Sequence, residues 1–159
     1  MFSEYRDFIK KSMKTGELSG FINPDPEHTS TLLEQFINNA DKEIIIFNKH
    51  LSSKSFAYDN VLYAIRQALC KGVKFRMAIQ TDHIDNNNKN LYNIFNNYKD
   101  QVEFYTEKGM NINKHFIIID RKTFRIEQSG DSREAFVCFN DKESSEKLAH
   151  LFEKIINTK

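Results

Sequence analysis

The feature that most constrains the fold of this chain is a short run of consecutive apolar residues, Ile44-Ile45-Ile46-Phe47. Neighbouring side chains of a strand point to opposite faces, so a run that is apolar at every position predicts a strand buried on both faces. Such a strand needs helices above and below its sheet. Amphipathic segments alternate with further apolar runs at 73–79 and 102–105. This alternation predicts an α/β domain with a mostly parallel sheet and helices on both faces.

The last third of the chain has a different pattern. The runs 115–120 and 123–127 are separated by Arg121-Lys122, which predicts a β-hairpin. A further strand at 135–139 and an amphipathic helix at 142–156 follow it. A hairpin cannot continue a parallel sheet without adding antiparallel pairs. The predicted sheet is therefore mixed.

The chain is predicted to be a single domain, and its first residues to form a helix and a connector in front of the α/β part. Apolar positions at helical spacing predict a helix over about 3–14, followed by a connector that contains Pro24 and Pro26. Thr29 or Ser30 is a suitable cap for the next helix. We therefore expect an N-terminal helix and connector at residues 1–29, and an α/β domain at residues 30–159.

Composition points to an intracellular protein. No apolar run approaches the roughly 18 residues of a membrane span, and the N-terminus lacks the pattern of a secretory signal. The two cysteines, Cys70 and Cys138, do not make a disulfide framework. Both are predicted to be small buried residues of a reducing compartment. The expected localisation is cytoplasmic.

The charge balance limits the kinds of partner. The chain has 23 basic and 22 acidic residues, a net charge of +1. A protein held on nucleic acid mainly by its overall field is usually more basic. A local basic groove stays compatible with this balance.

Polar residues follow the predicted strands at the edge where α/β sheets bind ligands. Lys49 and His50 follow the first buried strand, and Asp82 and His83 follow the second. Polar residues at these positions are also common for solubility alone. A metal site built from His50, Asp82, His83 and His115 has no diagnostic spacing, so neither metal nor cofactor is predicted.

The predicted hairpin carries the most informative polar residues. Side chains two apart share a face of a strand, so Asn113 and His115 point the same way as Ile117. On the partner strand Arg125 and Glu127 also share a face, and we expect them to pair with each other or with His115. The alternative is that His115 is a satisfied core histidine.

The stretch from Asn113 to Asp120 resembles the signature of the phospholipase D superfamily, which is histidine, any residue, lysine, four mostly apolar residues and aspartate. The apolar run and Asp120 match that signature in place. The order of helices and strands is also similar to that of the superfamily from about Ser30 to Ile156. The resemblance implies a phosphodiesterase fold in which the histidine attacks phosphorus and the lysine binds phosphate oxygens.

This sequence departs from the signature at both reactive positions. Asn113 stands in place of the histidine and His115 in place of the lysine. An asparagine amide nitrogen has no available lone pair, so Asn113 cannot be that nucleophile. Any remaining catalysis would depend on His115 with Asp120, which are the two candidate catalytic residues. The predicted phosphate-binding residues are Asn113, Lys49, His50, His83, Arg125 and Glu127.

Three hypotheses follow. The preferred one is a non-catalytic domain that recognises nucleic acid or another phosphate-bearing partner. The second is a rewired phosphodiesterase or nuclease that uses His115. The third is a structural or protein-interaction module. Members of the superfamily with a single motif commonly pair two copies, so the resemblance also implies a homodimer.

Overall fold

The computed structural model describes residues 2–15, 21–22, 26–48, 56, 58–79, 88–106, 115–127 and 135–157. Among them are five helices of eight or more residues: α1 (Phe2–Thr15), α2 (Pro26–Asn38), α3 (Asp59–Cys70), α4 (Lys89–Asn96) and α5 (Lys142–Asn157). The strands are β1 (Phe21–Ile22), β2 (Glu43–Asn48), β3 (Lys74–Ile79), β4 (Val102–Thr106), β5 (His115–Ile119), β6 (Thr123–Glu127) and β7 (Ala135–Cys138).

Within the described residues these strands form one sheet of seven, in the order β1-β7-β6-β5-β2-β3-β4. The pairs β2–β3 and β3–β4 are parallel, and the other neighbouring pairs are antiparallel. Strands β1, β2, β3, β4 and β6 consequently run in one direction, and β5 and β7 run in the other. The predicted mixed α/β sheet is confirmed.

Helices cover both faces of the sheet, as the fully apolar β2 predicts. Ile44 and Ile46 belong to a large core cluster that also contains residues of α1, α2, α3 and α4. Ile45 and Phe47 belong to a second cluster with Ala149 and Phe152 of α5. Each face of β2 is therefore sealed by different helices. We call these the four-helix face and the α5 face.

The predicted hairpin is confirmed. Strands β5 and β6 are antiparallel, and His115 lies opposite Glu127 while Ile119 lies opposite Thr123. The turn between them places Asp120 and Arg121 at positive φ, 52° and 55°. Polar residues such as aspartate tolerate this left-handed conformation better than most.

The N-terminal residues take part in the same core and sheet. Ile9 of α1 is fully buried in the core of the four-helix face, and β1 pairs with β7 as the outermost strand of the sheet. The short β1 was not anticipated, because two residues between turn-forming neighbours carry no periodicity. A boundary at residue 29 stays a prediction.

The start of α2 differs from the prediction. The helix begins at Pro26 and not after Thr29 or Ser30, both of which lie inside it and are buried. Proline is favoured in the first turn of a helix because its missing N–H would have no partner there. In the described part of the chain, no helix is long and apolar enough to cross a membrane.

Candidate functional site

Four strand ends meet at one edge of the sheet. β2 ends at Asn48 and β3 at Ile79, and their parallel pairing puts these two residues side by side. β5 runs the opposite way and begins at His115, whereas β6 ends at Glu127. This edge is therefore the carboxyl edge of the parallel strands, where open α/β sheets bind ligands.

A row of three polar side chains lies at this edge on the four-helix face. His115 is opposite Glu127, and Arg125 is opposite Ile117, which belongs to the four-helix core. The Arg125 Nη2 donates to Glu127 Oε1 at 2.8 Å. The other carboxylate oxygen, Oε2, lies 3.5 Å from His115 Nδ1, at the long end of hydrogen-bond distances. The predicted pairing of Arg125, Glu127 and His115 is confirmed.

The electrostatics of the row follow from its partial burial. Burial raises the pKa of Glu127, but the hydrogen bond with His115 and the charge of Arg125 outweigh it and hold that pKa below its usual value. The carboxylate is therefore ionised at neutral pH. It compensates the Arg125 guanidinium, whose side chain is only 11% exposed.

Arg125 nevertheless keeps hydrogen-bonding capacity. Its Nε is buried and has no hydrogen-bond partner within the part of the chain that the structure describes. Buried polar atoms are normally paired, so an unpaired donor marks a place where an acceptor would bind favourably. A guanidinium also presents its N–H groups in a planar fork that matches carboxylate or phosphate oxygens.

Asn48, which begins the polar stretch Asn48-Lys49-His50 but is not among the predicted phosphate-binding residues, also lies at this edge. The antiparallel register of β2 and β5 runs from Ile44–Ile119 to Phe47–Phe116, and one further step brings Asn48 opposite His115. Residues opposite each other share a face of the sheet. Its position directly after the apolar run was the available signal.

Asp120 lies at the other end of β5, on the order of 15 Å from His115. Its carboxylate accepts hydrogen bonds from the backbone N–H groups of Asp41, Lys42 and Glu43, at 2.8, 2.8 and 2.9 Å. It thereby fixes the hairpin turn to the start of β2. The structure does not bring this candidate catalytic residue together with His115.

The other predicted phosphate-binding residues lie outside the described residues. They are Asn113, Lys49, His50 and His83. Along the chain, Lys49 directly follows Asn48 and Asn113 precedes His115 by two residues. Their membership of the site stays a prediction. Among the described residues, no group of three or more metal-ligating side chains is arranged to hold a metal ion.

A second set of charged side chains lies near the α5 face, and its arginines are paired with carboxylates. Arg121 donates to Glu43 at 2.7 Å and to Glu153 at 2.9 Å, and these carboxylates raise its pKa further above the usual value. Arg76 pairs with Glu103 at 2.9 Å and stacks 5.3 Å from the centre of the Phe152 ring. These contacts tie α5 to the sheet and to the hairpin turn.

A groove of about 520 Å³ lies between α3 and α4 and includes Arg66, Cys70, Asn93 and Tyr98. The prediction that Cys70 is buried is wrong, because its thiol is exposed and lies 3.4 Å from the Tyr98 hydroxyl. As the last residue of α3, Cys70 faces the neighbouring helix instead of the sheet. Cys138 is buried, as predicted.

Several solved structures have a fold similar to this one. The structure is similar to that of Nuc from Salmonella typhimurium, described as a phospholipase D family member, with a TM-score of 0.63 and 19% identity. The match covers 89% of this chain and 95% of Nuc. The fold is phospholipase D-like. No family model and no curated protein matches the sequence significantly.

Two further neighbours extend the comparison. TrmBL2, an archaeal chromatin protein with a novel mode of DNA binding, has a TM-score of 0.61 at 15% identity, over 98% of this chain and 58% of TrmBL2. The polyphosphate kinase of Porphyromonas gingivalis has a TM-score of 0.60 at 11% identity, over 92% of this chain and 27% of the kinase. At these identities the likeness concerns the fold.

Proposed function

We propose that this phospholipase D-like domain binds a phosphate-bearing partner, with nucleic acid as the leading class, and does not catalyse hydrolysis. The observation that carries the proposal is Arg125. It is a nearly buried guanidinium at the carboxyl edge of the sheet, with an Nε that has no partner within the described residues. A phosphodiester offers two oxygens on one centre, which suits such a fork of donors.

Three other features support binding in preference to catalysis. The position of the superfamily's nucleophilic histidine is occupied by Asn113. Asp120 is engaged in three backbone hydrogen bonds at the far end of β5. In addition, one structural neighbour, TrmBL2, is a DNA-binding chromatin protein.

The expected ligand-binding residues are His115 and Arg125, with Asn113, Lys49, His50 and His83 from the adjoining segments, and all of these side chains can donate hydrogen bonds. Glu127, which was also predicted to bind phosphate, is a carboxylate that accepts hydrogen bonds only, and it pairs with Arg125 and His115. Phosphate contacts of this kind give affinity without base specificity and are sensitive to salt. A homodimer and a cytoplasmic location belong to the same proposal.

A rewired phosphodiesterase is the second candidate, and the His115–Glu127 contact favours it. A carboxylate on one imidazole nitrogen fixes the tautomer, and the other nitrogen is then available for proton transfer or attack. In this reading His115 is the acid–base group or nucleophile. Arg125 would then bind the phosphate oxygens in place of the lysine of the superfamily signature.

One paired assay separates these functions. Purified protein is titrated into labelled single- and double-stranded DNA and RNA at two salt concentrations, and cleavage is followed in the same samples. Salt-sensitive binding without cleavage, weakened by His115→Ala, is the expected result. Cleavage that His115→Ala abolishes would establish the second candidate. If nucleic acid is neither bound nor cut, a protein-interaction module becomes the better explanation.

A further inference from the structure

A single carboxylate occupies the space between the two donors of the candidate site. Glu127 uses one oxygen for Arg125, at 2.8 Å, and directs the other towards His115, at 3.5 Å. Two oxygens on one centre, each facing a different donor, also describe the non-bridging oxygens of a phosphodiester. We infer that Glu127 is a built-in competitor, and that an anionic ligand binds by displacing its carboxylate from Arg125 and His115. This inference rests on the proposed function of the site.

The charges of the row make displacement necessary. The positive charge of Arg125 is cancelled by Glu127, so this pair of described residues exerts little attraction on an anion. A phosphate that approached with Glu127 in place would meet a negative carboxylate at hydrogen-bond distance from the same guanidinium. Like charges at this separation repel strongly where water is partly excluded. Ligand and carboxylate therefore exclude each other.

The position of Glu127 permits the movement. It is the last residue of β6, and its side chain is 22% exposed, twice the 11% of Arg125. The residue opposite it on β7 is Ala135, which has a small side chain. A rotation of the Glu127 side chain would hydrate its carboxylate and leave the strand intact. Arg125, two residues further inside β6, stays in place.

Because Arg125 Nε has no partner within the described residues, the Glu127 carboxylate is an incomplete partner for this guanidinium. Glu127 accepts from Nη2, while Nε is buried and has no partner within the described residues. A phosphate group carries more acceptor oxygens than a carboxylate and can engage two guanidinium nitrogens at once. The ligand would thus satisfy a donor that Glu127 leaves unpaired.

The inference is tested by removing the charge of Glu127 and keeping its shape. Affinities for inorganic phosphate and for labelled oligothymidylate are measured for the wild type, for Glu127→Gln and for Glu103→Gln. Glu103 is the matched control, because it is also paired with an arginine at 2.9 Å and has a lowered pKa, but its partner Arg76 contributes to the α5 face. We expect Glu127→Gln to bind about tenfold more tightly. Glu103→Gln should bind like the wild type.

The outcomes distinguish the inference from the function on which it rests. If the wild type binds and Glu127→Gln binds equally or more weakly, Glu127 is a positioning residue for Arg125 and the inference is overturned. If the wild type does not bind but Glu127→Gln does, the inference is supported. If the wild type, Glu127→Gln and Glu103→Gln all fail to bind either probe, the proposed function itself is overturned.

A second measurement covers the case in which Glu127→Gln does not fold. The side-chain carboxyl resonance of Glu127 is followed by carbon-13 NMR while inorganic phosphate is added to the wild type. Displacement from Arg125 and His115 should shift this resonance in step with phosphate binding, and the Glu103 resonance should stay unchanged. Phosphate binding without a shift at Glu127 would refute the inference.

Discussion

At the turn of the β5–β6 hairpin, one carboxylate accepts three backbone hydrogen bonds, whereas at the open end of the same hairpin a buried arginine N–H has no partner among the described residues. The turn end, built around Asp120 and Arg121, uses its polar groups to join the hairpin to β2 and α5. The open end, with His115, Arg125 and Glu127, keeps unused hydrogen-bonding capacity. The two ends of this hairpin therefore differ in how far their polar groups are paired: those of the turn end bond to neighbouring elements, whereas a buried donor of the open end has no partner within the described residues.

The largest expected effect is at the turn end, from Asp120→Ala. Loss of three charge-assisted hydrogen bonds should lower the free energy of unfolding by about 3 kcal/mol, measured by urea denaturation. Asp120→Asn keeps one acceptor oxygen and tolerates positive φ, so it should lose less. A cost below about 0.5 kcal/mol for Asp120→Ala would contradict the structural role.

Arg121→Ala should have a smaller effect at the same end. The residue joins Glu43, Glu153 and Glu146, and its side chain is 30% exposed, so we expect a loss of about 1 kcal/mol that decreases at high salt. The matched control is Lys147→Ala, because its ion pair with Glu143 is 76% and 83% exposed and should contribute nothing measurable. If both variants lost the same free energy of unfolding, the Arg121 network would stabilise the fold no more than the isolated Lys147–Glu143 pair.

At the open end, His115→Ala should change binding more than stability. The side chain is 18% exposed and makes one long polar contact within the described residues, so its removal should cost less than about 1 kcal/mol in a thermal or urea unfolding experiment. Binding of labelled oligothymidylate should weaken by roughly five- to tenfold. His150→Ala, at an exposed position of α5, is the control and should change neither quantity. A stability loss of several kcal/mol would instead identify His115 as a core residue.

The smallest expected effect concerns pH and Glu127. The pKa of Glu127 in the folded state lies below its ordinary value of 4.5. The ionised side chain therefore stabilises the fold at pH values above 4.5, and this stabilisation is lost as the pH falls through the folded-state pKa. The free energies of unfolding of the wild type and Glu127→Gln, measured by urea denaturation at a series of pH values, should therefore converge below about pH 4.5. Curves that stay parallel across this range would mean that the ion pair contributes no net stability.

Much of the fold was predictable from local patterns. The uninterrupted apolar run of β2 predicts burial on both faces, and the alternation along β5 predicts that Ile117 and Ile118 enter different cores. The pairing of His115 with Glu127 also follows from hairpin geometry. In contrast, the exposure of Cys70 and the pairing of β1 with β7 depend on which element, distant along the chain, lies beside them. The local spacing of apolar residues carries no information about such neighbours.

The candidate site was predictable only in part. His115, Arg125 and Glu127 were selected correctly as neighbours, because they belong to one hairpin. Asp120 was selected with them from its place in the motif, yet His115 is the first residue of β5 and Asp120 lies beyond the last. The spacing of a motif along a strand is a real distance, and residues at opposite ends cannot act on the same atom.

By itself, the sequence determined the element types, the mixed sheet and the faces on which side chains lie, because these follow from periods of two and 3.6 residues along a local stretch of chain. Only the tertiary structure decided that Asp120 anchors three amides of a segment 77 to 79 residues away, and that a buried nitrogen of Arg125 has no partner in the part of the chain that the structure describes. Hydrogen-bond satisfaction depends on what approaches in space, and this is fixed by the packing of the whole chain.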